Sequence, residues 1–480
     1  MTSTMTLASL APAIPEIYLT VALCVILLVD AFAGRASRRL TPTLTLAALV
    51  IGAALTVQYA GVSGTVMLFS GMYVADPLGN LLKLFAFLFV AVVLLYSRQY
   101  LDTRGLLKGE YYVLTLSALL GICVMISAGS LLSMYMGIEL LSLSLYALVA
   151  FNRDSAVSAE SAIKYFVLGA IASGCLLYGM SLVYGMSGSL LFSEIADSLR
   201  GVPSLGLIMG LVFVVVGVAF KFGAVPFHMW VPDVYHGAPS SVTLLVATAP
   251  KIASFALAYR LLVEALGGVA PSWMQMLAIV AVLSLLLGNL AAVAQTNMKR
   301  LLAYSAIGNV GFILLGFVAG TEQGIEAALF YTLAYVITTL GAFGVVLLAS
   351  PGGFEADNFE HYKGLHARDP LLALAMMVMM FSVGGMPLFV GFWAKLQIFQ
   401  ALWEVNAIAL VIIAALISVV GLFYCLRVIK LMYFDAPGDF PRSTCGVAER
   451  GVLLVNAIVV VLLGVLPNTL LTLCEAVIGG

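Results

Sequence analysis

The chain has 480 residues, of which 63% are hydrophobic and 9% charged, against roughly 25% charged in a soluble domain. That balance excludes a water-soluble globular protein, and a formal net charge of -1 excludes nucleic-acid binding through a global basic field. Six cysteines (Cys24, Cys123, Cys175, Cys425, Cys445, Cys474) show no CxxC spacing, which argues against a zinc or iron–sulfur centre and for apolar packing roles.

Met1 to Pro12 carries no Lys or Arg, so the charged start of a cleaved signal peptide is missing and the first span is expected to be retained. Apolar stretches bounded by turn residues and charges fall at 13–34, 41–61, 77–97, 111–127, 131–151, 161–186, 204–236, 240–265, 271–294, 301–319, 324–349, 370–402, 405–432 and 451–475. Each is long enough to cross a bilayer as a helix, which satisfies its own backbone in hydrocarbon. The expected fold is an all-α polytopic membrane protein with about 14 spans. Basic residues provide an independent check. Odd-numbered connections hold 15 of them (Arg35, Arg38, Arg39, Arg98, Arg104, Lys108, Arg153, Lys299, Arg300, Lys363, Arg368, Arg427, Lys430, Arg442, Arg450), and even-numbered ones hold 2, Arg200 and Arg260. Because cytoplasmic loops collect Lys and Arg, this alternation supports the count and places both termini on the non-cytoplasmic side.

The other five basic residues, Lys83, Lys164, Lys221, Lys251 and Lys395, lie inside spans, as does Glu139 in span five. A lysine in mid-helix facing lipid costs about 2.5–3.5 kcal/mol or more, so these groups must face partners or water. Lysine suits proton transport because its ammonium loses proton affinity when desolvated and regains it beside a carboxylate. Glu139, Lys221, Lys251 and Lys395 are therefore candidates for proton translocation. Lys164, close to an interface, is a secondary candidate, and Lys83 is expected to be structural.

Spans seven and twelve are long and contain Gly223-Ala224-Val225-Pro226 and Gly384-Gly385-Met386-Pro387. Proline removes a donor and clashes with the preceding turn, so both helices should break there. A matched pair of interrupted spans points to an inverted-repeat transporter. Two inverted five-helix repeats would comprise spans four to eight (111–265) and nine to thirteen (271–432), after a three-helix segment (1–110) and before a last helix (451–480). Lys221 precedes Pro226 by five residues and Lys395 follows Pro387 by eight. His228, just after the first break, could relay protons near neutral pH or hydrogen-bond the carbonyls freed by the kink.

Four motifs occur in order: K-x4-P-x-H-x-W-x-P-D-x-Y-x-G-A-P from Lys221 to Pro239, A-P-K at Ala249 to Lys251, the glutamate of span five, and G-x-P with G-F-x-x-K ending at Lys395. With them the chain resembles the antiporter-like subunits of respiratory complex I (NADH-quinone oxidoreductase) and of multisubunit Na+/H+ antiporters. Lys395 stands where the M-type subunit is expected to have glutamate, and the long lateral helix of the L-type is not expected, so the resemblance is to the N-type. The resemblance implies a Glu139–Lys221 pair in a first half-channel, Lys251 as central relay, Lys395 in a second half-channel, and Lys164 modulating the first pair. It further implies proton translocation in a prokaryotic inner membrane beside M-, K-, J-, A- and H-type subunits. No cofactor is expected in this chain, which also lacks Rossmann and P-loop glycine fingerprints; NAD, FMN, iron–sulfur clusters and quinone would belong to partners. The alternative is a subunit of a multisubunit Na+/H+ antiporter.

Overall fold

A computed structural model describes residues 7–32, 34, 37–59, 64–199, 204–441 and 446–479. Met1 to Thr6, Arg35, Arg200, Arg442, Cys445 and the side chain of Arg38 lie outside the described residues. Among the described residues, 13 helices are long and apolar enough to cross a membrane. They correspond to spans one (Ile14–Phe32), two (Ser37–Tyr59), three (Pro77–Thr103), four (Gly109–Ile126), five (Leu131–Val149), six (Ala156–Ser187), the first half of seven (Leu205–Phe222), eight, nine (Ala270–Val293), ten (Met298–Ala319), eleven (Glu322–Leu348), thirteen (Ile408–Tyr433) and fourteen (Val447–Val465). Span twelve is two shorter helices, Pro370–Gly384 and Val390–Glu404, so the fourteenth expected crossing is the one that the prolines divide.

Helix starts are set by side-chain caps. Asp76, Ser204, Asn297, Thr321 and Asp369 each accept a backbone N–H of the first turn, and Ser130 forms a capping box with Ser133; each satisfies donors that hydrocarbon would leave unpaired. Spans eight, ten and eleven form the centre, with 94%, 89% and 100% of their apolar windows buried, while spans one, thirteen and fourteen, at 28%, face outward.

The structure departs from the sequence expectation in several places. Residues 64–75, between spans two and three, form an antiparallel hairpin, Val66–Leu68 against Tyr73–Ala75. Span three runs to Thr103, so Arg98 lies within it. The last segment divides at Pro467, after which Asn468–Ile478 forms a separate helix. Span eight is not continuous: Ser240–Ala247 and Ala249–Ala258 are separated at Thr248 (φ -119°, ψ -90°), and Tyr259–Ala265 is a π-turn. Pro250, without an N–H, contributes to that interruption. Arg260, counted with a connection, is instead buried inside the π-turn.

Two charge clusters tie the helices together. In the first, the fully buried Lys83 pairs with Glu16 of span one (2.6 Å), while Tyr73 of the hairpin and Ser127 after span four also contact Glu16 (3.0 and 3.1 Å). This is the structural role expected of Lys83, and its partner Glu16 was not identified from the sequence. The second lies where the connections rich in Arg and Lys gather. Glu355, between spans eleven and twelve, accepts from Arg104 Nε (2.8 Å), Tyr100 Oη (2.6 Å) and Ser240 Oγ (3.0 Å), with Lys299 3.7 Å away. Burial pushes the Glu355 carboxyl up, but the charges of Lys299 and Arg104 and the hydrogen bonds from Tyr100 and Ser240 outweigh it, so the group titrates below the ordinary glutamate range.

Removing one member of a buried ion pair leaves an uncompensated charge costing about 3–5 kcal/mol. Glu16→Ala should therefore lower the denaturation temperature of the purified protein markedly, while Glu16→Leu combined with Lys83→Met should recover most of the loss; equal losses in both would refute the pairing. For Glu355 the folded-state proton affinity is depressed, so its contribution is complete at neutral pH and fades as pH falls below the ordinary glutamate value of about 4.3. Denaturation temperature followed from about pH 5 down to about pH 2 should fall less steeply in Glu355→Gln than in the parent, and parallel curves over that range would count against this assignment.

Candidate functional site

Each interrupted span ends its first half on a glycine in the left-handed region, Gly223 (φ +74°) after Phe222 and Gly385 (φ +81°) after Gly384. The last carbonyls of a helix have no intrahelical partner and form the negative end of its dipole, which in hydrocarbon demands a donor. In both spans a lysine supplies it. Lys251 Nζ donates to the Phe222 carbonyl at 2.6 Å, and Lys395 Nζ donates to the Gly384 carbonyl at 3.0 Å. The lysine on the first break is thus Lys251, delivered by span eight, and not Lys221, its nearest lysine in sequence. Lys395 has a second acceptor, Ser418 Oγ of span thirteen (2.9 Å), and Phe312 lies 5.4 Å from its ammonium.

Lys221, in the last turn before the first break, donates to Ser142 Oγ at 2.5 Å. Ser142 lies one turn beyond Glu139 on span five, and Glu139 accepts from Ser173 Oγ of span six. Among the described residues no ion pair joins Glu139 to Lys221, and the Ser142 hydroxyl that receives Lys221 donates to the Ile138 carbonyl of its own span. Lys221 and Lys251 line one small cavity together with Ser142, Tyr165, Trp230 and Ser254. Its volume open to water centres is about 20 Å³, enough for one water. Ser254 Oγ also lies 3.1 Å from the Lys221 carbonyl, binding span eight to span seven at this depth.

The other two candidates lie apart from this group. Lys164 pairs with Glu160 (2.8 Å) and Asp233 (2.9 Å), and Asp233 also holds Arg300 (3.0 Å). That network sits at the end of the second half of span seven, Trp230–Gly237. His228 lies in the non-helical break: its carbonyl accepts from Val231 N at 2.9 Å, and its Nδ1 is buried without a hydrogen-bond partner among the described residues. Sequence reasoning missed Ser142 and Ser418. Serines at i+3 from Glu139 and on a neighbouring span carry no signal of their own until packing brings an ammonium to them.

A bundle with two spans broken at glycine and proline, and with buried lysines on the broken ends, defines a transporter-like membrane protein. The family described as NADH:quinone oxidoreductase/Mrp antiporter, TM, matches residues 128–421. NADH-quinone oxidoreductase subunit N of Thiobacillus denitrificans is 51% identical over 477 residues, covering 99% of both chains. A chain in the structure of respiratory complex I from Thermus thermophilus with bound aureothin is 32% identical with a TM-score of 0.82, over 95% of this chain and 98% of that one. A chain of the Mrp complex from Dietzia, at 22% identity and TM-score 0.86 over 99% and 97%, shares the fold. The chain belongs to the NADH:quinone oxidoreductase/Mrp antiporter transmembrane family and, within it, to the family of NADH-quinone oxidoreductase subunits N.

Both the left-handed φ and the space around Gly223 restrict that position, since a Cβ there would lie 2.5 Å from Val231 Cγ2. Gly223→Ala should cost at least about 1–2 kcal/mol, visible as a lower denaturation temperature of the purified protein; an unchanged temperature would contradict the described break.

Proposed function

We propose that the chain is a proton-translocating membrane-arm subunit of an NADH:quinone oxidoreductase, moving protons through Glu139, Lys221, Lys251 and Lys395 while quinone is reduced elsewhere in the complex. The observation that carries this reading is the shared cavity of Lys221 and Lys251: two ammonium groups at the interrupted end of span seven, with room for one water between hydrogen-bonding side chains. When one of the two lysines is the neutral amine, a proton can pass to it from the other's ammonium through a bridging water, and each lysine's affinity for it responds to charge nearby. Glu139 would set that affinity as a charge on span five. Lys395, with its own carbonyl and serine, would perform the corresponding step at the second break. Lys164, tied to Asp233, which also holds Arg300, would modulate the Glu139–Lys221 group, and His228 in the break is a secondary candidate for proton relay.

On this reading the chain sits in a prokaryotic inner membrane with both termini on the non-cytoplasmic side, and spans four to eight and nine to thirteen are inverted repeats. Its partners are the M-, K-, J-, A- and H-type subunits. NAD, FMN, iron–sulfur clusters and quinone are held by partners, and electrostatic changes along the row of charges drive the proton steps. The alternative of a multisubunit Na+/H+ antiporter is supported by the shared fold with an Mrp chain at 22% identity, against 51% for a subunit N relative.

The test is NADH-driven proton pumping by the reconstituted complex. Lys221→Ala, Lys251→Ala, Lys395→Ala and Glu139→Ala should each reduce pumping strongly with the complex assembled. Unchanged pumping and quinone reduction in all four would overturn the reading, and proton movement that requires Na+ would favour the antiporter.

A further inference from the structure

Span eight, which carries Lys251, is fastened to span three at both ends. At its start, the Ser240 N–H donates to Tyr100 Oη of span three (3.0 Å); Tyr100 Oη in turn donates to Glu355 (2.6 Å), which also accepts from Ser240 Oγ and from Arg104, the residue capping span three. At its far end the guanidinium of Arg260 forks onto Asp76, the residue that caps the start of span three, with NH2–Oδ1 and NH1–Oδ2 both 2.7 Å. Arg260 Nε donates to the carbonyl of Ile126, the last residue of span four (3.1 Å), and NH1 meets Glu264 at 2.6 Å. The guanidinium is buried, and this bidentate geometry is the strong form of a charge pair.

Between these fastenings span eight is weak. It breaks at Thr248, three residues before Lys251, and loosens into a π-turn from Tyr259. Inside the interruptions the Lys251 segment is tied to span seven by Ser254 Oγ on the Lys221 carbonyl and by Lys251 itself, so its register also depends on what holds the two ends of span eight.

We propose that Glu355 and Asp76 are positioning residues for Lys251, holding the two ends of span eight against span three so that the interrupted helix between them presents its ammonium to the Phe222 carbonyl and to the cavity shared with Lys221. Neither residue touches the transported proton. Span three acts as the rigid member, an uninterrupted helix from Pro77 to Thr103. The proposal rests on the reading that Lys251 carries protons. The titratable groups beside Lys251 in the cavity are Lys221 of span seven and Tyr165 of span six, with Glu139 further along span five; on the buried faces of spans three, four and eleven they are Lys83, Tyr96 and Tyr100, then Tyr111, Tyr112 and Cys123, then Tyr331 and Tyr335.

The experiment uses the whole reconstituted complex. Glu355→Gln and Tyr100→Phe loosen one end of span eight, and Asp76→Asn loosens the other while keeping a capping oxygen for Gly79 N–H. NADH-driven proton pumping is measured against pH, with quinone reduction and the amount of assembled complex measured in parallel. The pumping profile should shift along the pH axis in each variant, and Glu355→Asp should return it part of the way. Glu360→Gln removes an exposed carboxylate whose only ion-pair partner among the described residues is Lys363, and should leave the profile at its parental position. If the clamp variants assemble and pump with the parental profile, or if Glu360→Gln shifts it equally, the proposal is overturned. Tyr100→Phe leaves no buried charge unpaired and so decides the matter should the charge variants fail to assemble: a parental profile in that variant is likewise fatal. Lys251→Ala separates the two levels. Pumping lost in Lys251→Ala but unaltered in the clamp variants refutes the positioning role alone, while parental pumping in Lys251→Ala refutes the functional reading.

Discussion

The contact on which the site depends is that between a lysine ammonium and the open carbonyl end of a half-helix. A helix broken inside a bilayer leaves acceptors that neither lipid nor the next turn can satisfy. A lysine buried in the same place needs an acceptor that does not itself demand a full countercharge. Each meets the other's requirement at Phe222 with Lys251 and at Gly384 with Lys395. The arrangement is weaker than an ion pair, since the carbonyl end of a helix carries only about half a unit of negative charge.

Lys83 and Arg260 show the contrast within the same bundle. Both are buried, and both face carboxylates at short range, Glu16 in one case and Asp76 with Glu264 in the other. The chain thus uses two chemistries for intramembrane cations. Full countercharges fix helices to one another, whereas hydroxyls and helix ends hold the lysines assigned to proton movement. Glu139, in contact with Ser173 and with no ion pair to Lys221 among the described residues, belongs to the second group.

The spans and their two breaks were legible because hydrocarbon imposes strong rules: apolar length, and proline where a helix cannot continue. Lys221, Lys251 and Lys395 stood out because a charge in an apolar run is costly wherever it points. Their partners did not stand out. Ser142 and Ser418 are ordinary helix serines in sequence, and Glu16 and Asp76 sit near span ends where carboxylates are common. The break at Thr248 was missed because Pro250 falls at the second position of the helix that follows, where proline is tolerated. Which lysine meets which carbonyl depends on how span eight packs against span seven, a relation that sequence spacing does not carry.

The size of the cavity between Lys221 and Lys251 has a consequence for what can move there. A space for about one water is too small to surround an alkali cation with the several oxygens that would replace its hydration shell, and its walls present lysine amines that repel fixed positive charge whenever protonated. A proton is not subject to either obstacle when one of the two lysines is the neutral amine, because it enters by becoming part of that group. Selectivity at this point would then need no dedicated filter; it follows from making the passage narrower than a solvated ion and lining it with bases that the transported species itself converts to cations.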